Sequence, residues 1–168
     1  RTKTGQLFAY ARDERPWDGG DPPGVAYLYA PDRKAEQALR HLQGFVGTLQ
    51  VDGFAGYKVL ADRNAVNLAF CWSHARRKFY DLAQGGPAPI ATEALARIAE
   101  LYRIEGEIRG RSAEERRDLR QARSRAIVDA LEPWLKAKLV LISQKSKLAE
   151  AIRYALSRWQ GLSRFLDD

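Results

Sequence analysis

One carboxylate occupies a position that suits metal chemistry. Asp52 directly follows the short apolar run 48–51 and precedes Gly53. In α/β sheets, ligands usually gather at the C-terminal ends of the strands, and a carboxylate there offers the hard oxygen donors that Mg²⁺ prefers. An Asp-Gly pair after a strand is also typical of a plain turn or helix cap. The spacing alone leaves both interpretations open.

A second group of candidate residues follows the next apolar run. Cys71 and His74 have the spacing of half a zinc site, or of a thiol beside its base. A second pair of soft ligands is missing, because His41 is the only other histidine, and the junction is a poor geometry for a catalytic pair. We therefore interpret Cys71 as a buried strand-end residue and His74 as a polar contact flanking the site.

Basic residues continue along the same predicted helix. Arg76, Arg77 and Lys78 have no acidic neighbour until Asp81, so we predict that they contact nucleic-acid phosphates. The alternative for any charge run is a solvated face with ion pairs inside the helix. We prefer that alternative for a later basic set with helical spacing, which comprises Arg116, Arg120 and Arg123.

The first half of the chain alternates between strand and helix patterns. Strands are predicted at 6–12, 25–30, 48–51 and 66–72, and helices at 33–45, 55–61 and 73–83. The first two strands should form a hairpin-like pair around a Pro/Gly-rich loop, in which Trp17 is the one tryptophan left open as a base-stacking residue. This order of elements is that of a ribonuclease H-like fold without its first strand.

The second half of the chain is predicted to be entirely helical. The Gly/Pro run 85–89 is a strong breaker, and helical apolar spacing begins soon after it. Residues 112–115 form a capping box that should start a helix, and Pro133 should kink or restart a later one. The fold class is therefore α/β, a mixed sheet followed by an all-α region.

Composition favours a polyanionic partner and excludes some other classes. Lys and Arg number 28 against 21 Asp and Glu, which gives a net charge of +7 and a pI near 9.7. The single cysteine excludes an internal disulfide, and no apolar run reaches the roughly 18 residues that cross a bilayer. We expect a cytoplasmic protein. Because the sequence has no methionine, we also expect it to be a piece of a longer chain.

Two motifs together resemble one protein family. The run LQVDGFAGY at 49–57 and the run CWSHARRKF at 71–79 are similar to those of the insertion sequence sixty-six family of transposases, in the DDE superfamily. Residues 2–5 resemble the segment entering that family's second core strand. Two later segments, 108–116 and 151–159, resemble the helical region between its second and third acids.

This resemblance implies a role for each candidate. Asp52 matches the second acid of the DDE triad, a catalytic residue and ligand of Mg²⁺ or Mn²⁺, and Cys71 and His74 would flank the site. The first acid would lie upstream of Arg1 and the third just beyond Asp168. Residues 1–86 would then be a partial catalytic core, and 87–168 a helical insertion leading towards the third-acid helix. Without two of its three acids, the isolated piece should be inactive.

The resemblance also implies an activity and its partners. The whole protein would cleave DNA and join strands during transposition of a bacterial insertion sequence. Its partners would be transposon ends, target DNA and further copies of itself, with no membrane and no small-molecule substrate. The residues leave two alternative functions open. One is a non-catalytic DNA-binding module in which Asp52 is a turn residue, and the other is a helical oligomerisation module.

Overall fold

The chain contains two compact units, residues 1–69 and 70–168. A computed structural model describes residues 4–15, 19–63 and 66–167, so Trp17 lies outside the described residues. Short strands and helices alternate in the first unit, and helices make up nearly all of the second. The predicted mixed α/β class is confirmed at this level.

An antiparallel hairpin opens the first unit. Strands β1 (Gln6–Arg12) and β2 (Gly24–Ala30) pair in a register that sets Gln6 opposite Ala30 and Arg12 opposite Gly24, as predicted. Successive side chains alternate between the two faces. Phe8 is buried and meets the ring of His41 edge-on at 5.1 Å. The hairpin therefore packs one face on the helix that carries His41.

The remaining elements of this unit lie before and after Asp52 in the chain. They are helix α1 (Ala35–His41), strand β3 (Gly47–Val51), a 3-10 turn (Ala55–Tyr57), helix α2 (Lys58–Arg63) and strand β4 (Val66–Phe70), which pairs with β3. A small core of Ala38, Leu60 and Val66 joins them. The described strands form two separate two-stranded sheets, so a single ribonuclease H-like sheet is not observed directly.

The second unit is a bundle of helices around one main core. Its elements are α3 (Trp72–Gln84), α4 (Pro89–Glu107), α5 (Ala113–Leu119), a π-helical segment (Arg120–Ser124), α6 (Arg125–Val140), α7 (Lys147–Leu156), α8 (Trp159–Ser163) and a 3-10 turn (Arg164–Leu166). Phe79, Ile98, Leu131, Leu135 and Ile152 are almost completely buried in the core. Apolar residues at helical spacing explain this packing.

Two local predictions meet different outcomes in the bundle. Ser112 and Glu115 form the predicted capping box, in which each side chain bonds the other residue's backbone amide. Helix α6 does not restart at Pro133 but runs on to Val140. The burial of Leu131 and Leu135 on either side of the proline explains why the helix continues.

The predicted boundary at residues 86–87 stays a prediction. Helix α3 precedes that boundary, yet it packs against α4 and α7 within the second unit. The backbone contacts therefore group α3 with the helices that follow it. No helix in the described ranges is both long and apolar enough to cross a lipid bilayer.

Candidate functional site

Asp52 lies directly after β3 and forms a turn with its own side chain. Its Oδ1 accepts a hydrogen bond from the backbone N–H of Phe54, at 2.9 Å. Gly53, between them, has a φ of +95°, a conformation that glycine adopts without strain. The Asp52 side chain is 48% exposed. The turn alternative from the sequence is therefore observed, and the catalytic and metal roles of Asp52 remain predictions.

Arg33 contacts the other oxygen of the same carboxylate. Its Nη2 lies 3.3 Å from Asp52 Oδ2, and its guanidinium carbon lies over the ring of Phe54, 4.5 Å from the ring centre. Arg33 lies just before α1, and its position in the sequence is 19 residues from Asp52. No spacing rule links positions so far apart. We name Arg33, Asp52 and Phe54 the Asp52 cluster.

Tyr57 and Gly56 hold the ring of Phe54 in the Asp52 cluster. The ring of Phe54 meets that of Tyr57 edge-on at 5.6 Å. Gly56 is buried beneath it, and a Cβ at that position would lie 2.4 Å from the Phe54 ring. A side chain at residue 56 would therefore displace the ring over which the Arg33 guanidinium lies.

A divalent cation needs more ligands than the Asp52 cluster supplies. Across residues 4–15, 19–63 and 66–167, no group of three or more His, Cys, Asp or Glu could hold a metal ion. Asp52 fits the role of one ligand, because its carboxylate is accessible and is a hard oxygen donor. The other charged group beside Asp52 is the Arg33 guanidinium, which is a cation and cannot bind a metal. The described residues therefore do not form a metal site by themselves.

Cys71 and His74 belong to the second unit, at the start of α3. Cys71 immediately precedes the helix and is partly buried, whereas the sequence suggested a buried residue. His74 is exposed in the first turn. The site-flanking roles of both residues stay predictions.

The three basic residues of α3 have different surroundings. Arg77 is exposed, and Arg76 lies over the ring of Tyr80 at 5.4 Å. Lys78 Nζ is 3.6 Å from Glu150 and 4.8 Å from the Tyr154 ring, so it contacts helix α7. Their contact with DNA stays a prediction for all three, and Lys78 has an observed structural role besides.

The later arginines are not the solvated set that their spacing suggested. Arg116 and Arg120 are nearly buried and both reach Glu105 on α4, and Arg120 does so through two bonds of 2.7 and 2.8 Å. Arg123 pairs with Glu107 on the same helix. These ion pairs join different helices, so the expected intrahelical pairing is wrong. The acids that satisfy them lie on an earlier helix, which local sequence does not show.

Comparisons with known proteins agree with the resemblance. The family model described as "Transposase IS66 family", a DDE family, matches residues 1–168. Two uncharacterized proteins of Sinorhizobium fredii, y4qI and y4jD, are each 47% identical over 100% of this chain, which covers 32% and 34% of their lengths. A third from that organism, y4hP, is 39% identical over 98% of the chain and is covered to 33%.

The chain thus spans about a third of the length of these curated relatives. No solved structure matches it. Because the family model covers every residue, from the hairpin through Asp52 to the last helix, the chain belongs to the IS66 family of DDE transposases.

Proposed function

We propose that the whole protein containing this chain cleaves DNA at the ends of an insertion sequence and joins the freed strands to target DNA. The observation that carries the proposal is Asp52, in the run LQVDGFAGY at the end of β3, within a chain that the transposase family model matches throughout. Asp52 would serve as one of the catalytic acids.

The arrangement of strands is compatible with a larger sheet. We propose that the β1–β2 hairpin and the β3–β4 pair are parts of one ribonuclease H-like sheet, completed by a strand from outside this chain. The family implies a divalent metal. Asp52 would supply one ligand for Mg²⁺ or Mn²⁺, and acids elsewhere in the protein would supply the others. Bound metals would activate the attacking oxygen and stabilise the leaving one.

The chain's own residues would orient and hold the reacting groups. The bond from the Phe54 amide fixes the direction of the Asp52 carboxylate. Arg76 and Arg77 are cations on a helix, with Arg77 exposed, and both would neutralise DNA phosphates. DNA and further copies of the transposase would be the partners. We expect this chain alone to be inactive, because one carboxylate cannot hold a pair of metals.

The turn at Asp52 favours a second candidate function. A side chain that only caps a turn would suit a non-catalytic DNA-binding or oligomerisation module. The two candidates make opposite predictions for Asp52→Asn, because asparagine keeps an oxygen that can accept the Phe54 N–H but loses the charge that a metal needs.

The test compares two matched variants of the full-length protein. Asp52→Asn should retain its folding stability and lose donor-DNA cleavage by more than about a hundredfold, since metal ligation contributes several kcal/mol to the transition state. Asp13→Asn is the control, because Asp13 also accepts a backbone N–H, from Arg15, in the same unit. The control should keep near-normal cleavage. Equal activity of the two variants would favour the non-catalytic module.

A further inference from the structure

We propose that one face of the β1–β2 hairpin is a docking surface for an amphipathic helix that the same polypeptide supplies from outside residues 1–168. This hairpin face consists of six side chains at alternate positions of the two strands, namely Leu7, Ala9, Ala11, Val25, Tyr27 and Tyr29. The inference goes beyond the proposed function, and it does not depend on the role of Asp52.

The two faces of the hairpin differ in how far they are covered. On the face towards α1, Phe8 and Ala30 are buried. On the hairpin face, Leu7 and Tyr29 are each 67% exposed and Tyr27 is 65% exposed. Contiguous exposed apolar surface usually marks a binding surface in a water-soluble domain. The hairpin face is therefore a candidate for contact with another part of the assembly.

The shape of the hairpin face suits a single helix. Ala9 and Ala11 of β1 lie opposite Tyr27 and Val25 of β2. The small side chains of one strand thus run beside larger side chains of the other, which forms a step along the face. Two strands about 4.8 Å apart present a width of about 10 Å, which matches the diameter of one α-helix.

Charge argues against DNA as the occupant. None of the six side chains of the hairpin face is charged, although the chain as a whole has a net charge of +7. Aromatic side chains can stack on bases, but proteins that hold single strands combine them with cations along the phosphates. An apolar partner surface therefore fits this face better than a polyanion does.

Size argues against a second copy of the chain. Each strand has seven residues, so at about 3.4 Å per residue the hairpin face is about 24 Å long and about 10 Å wide. This outline of roughly 240 Å² is well below the roughly 800 Å² that each partner of a stable interface buries.

A segment of the same polypeptide can dock on a smaller area. Its covalent connection removes most of the entropic cost that two separate molecules pay to associate. The chain spans about a third of the length of its curated relatives. A protein of that length therefore has ample polypeptide outside residues 1–168 to supply the helix.

Photocrosslinking in the full-length protein identifies the occupant. The photoreactive residue p-benzoylphenylalanine replaces Tyr27, and the protein is irradiated with and without donor DNA. Mass spectrometry then locates the peptide that is joined to residue 27. We expect a product within one polypeptide that links residue 27 to a segment outside residues 1–168. The same substitution at Val46, which is 69% exposed just before β3, is the control and should not give that product.

The other outcomes of the irradiation would overturn the inference. A product of twice the mass would assign the hairpin face to a second copy, and a DNA adduct would assign it to nucleic acid. Products confined to residues 1–168, or no product, would show that no outside segment covers the face. An equal yield of the expected product from residue 46 would show that the contact is not specific to the hairpin.

A conservative variant tests the same face without a photoreactive group. Val25→Thr keeps a β-branched side chain and adds a hydroxyl, which is costly only if the docked helix buries it without a hydrogen-bond partner. Hydrogen exchange of the hairpin amides in the full-length protein should then be about tenfold faster than in the wild type. Val46→Thr is the matched control in the same unit, and it should leave those rates unchanged. Unchanged rates in Val25→Thr would contradict a covered face.

Discussion

Neighbouring residues of one sequence motif can have different physical roles. Arg77 and Lys78 are consecutive, yet Arg77 is exposed whereas Lys78 lies against Glu150 and Tyr154. Successive residues of an α-helix point about 100° apart, so a basic run on α3 cannot present all its charges in one direction. The residue types were readable from sequence, but the partners of Lys78 were not, because Glu150 and Tyr154 lie on a distant helix.

The salt dependence of DNA binding tests this division. A plot of log affinity against log salt has a negative slope. In the full-length protein, Arg76→Gln together with Arg77→Gln should reduce the magnitude of that slope by up to about 2, since each lost phosphate contact contributes about 0.9. Lys78→Gln should leave the slope unchanged, because the Lys78 contacts are within the protein. The measurement is binding to a DNA duplex over a range of salt concentrations. An unchanged slope in the double variant would show that Arg76 and Arg77 do not contact DNA phosphates.

Asp52 and its turn could be predicted from the sequence, whereas its ion-pair partner could not. The run LQVDGFAGY identified Asp52 as the candidate acid, and the alternative of a turn followed from Asp-Gly. The structure contains that turn. No sequence pattern pointed to Arg33, because the ion pair depends on how the start of α1 packs beside the end of β3.

At the scale of elements, local signals predicted helices and strands well. The β1 strand and the capping box at α5 follow from short-range patterns, namely an apolar and aromatic run bounded by turn residues and a Ser-x-x-Glu spacing. Contacts between elements were harder to predict from the sequence. Arg120 is nearly buried against Glu105, although its spacing with Arg116 and Arg123 suggested a solvated face. The burial of a charge depends on which helix lies next to it.

The capping box gives a prediction for a single element. Ser112→Ala removes the side chain that accepts the Glu115 amide, so the free energy of unfolding should fall by about 1 kcal/mol. Glu115→Gln is the control, because glutamine can also complete a capping box. Chemical denaturation of both variants measures the difference. Equal stability of Ser112→Ala and the wild type would show that the cap contributes nothing to α5.

At the scale of the whole molecule, the chain covers about a third of its curated relatives. Its motifs were sufficient to identify a family, because those motifs lie in both units of the chain. A metal site is different, since it joins ligands that are far apart in sequence. Within the described residues Asp52 has no companion acids that complete such a site. The other ligands would have to come from residues other than those that the structure describes.

The most direct test of the account exchanges the type of donor atom at residue 52. Asp52→Cys in the full-length transposase replaces a hard oxygen by a thiolate, which binds Mn²⁺ better than Mg²⁺. The measured quantity is the ratio of donor-DNA cleavage rates in Mn²⁺ and in Mg²⁺, with Asp13→Cys as the control because Asp13 also accepts a backbone N–H. The account predicts a ratio more than about tenfold above that of the wild type in Asp52→Cys alone, from the softer ligand. A ratio equal to the wild type's would contradict metal binding by residue 52.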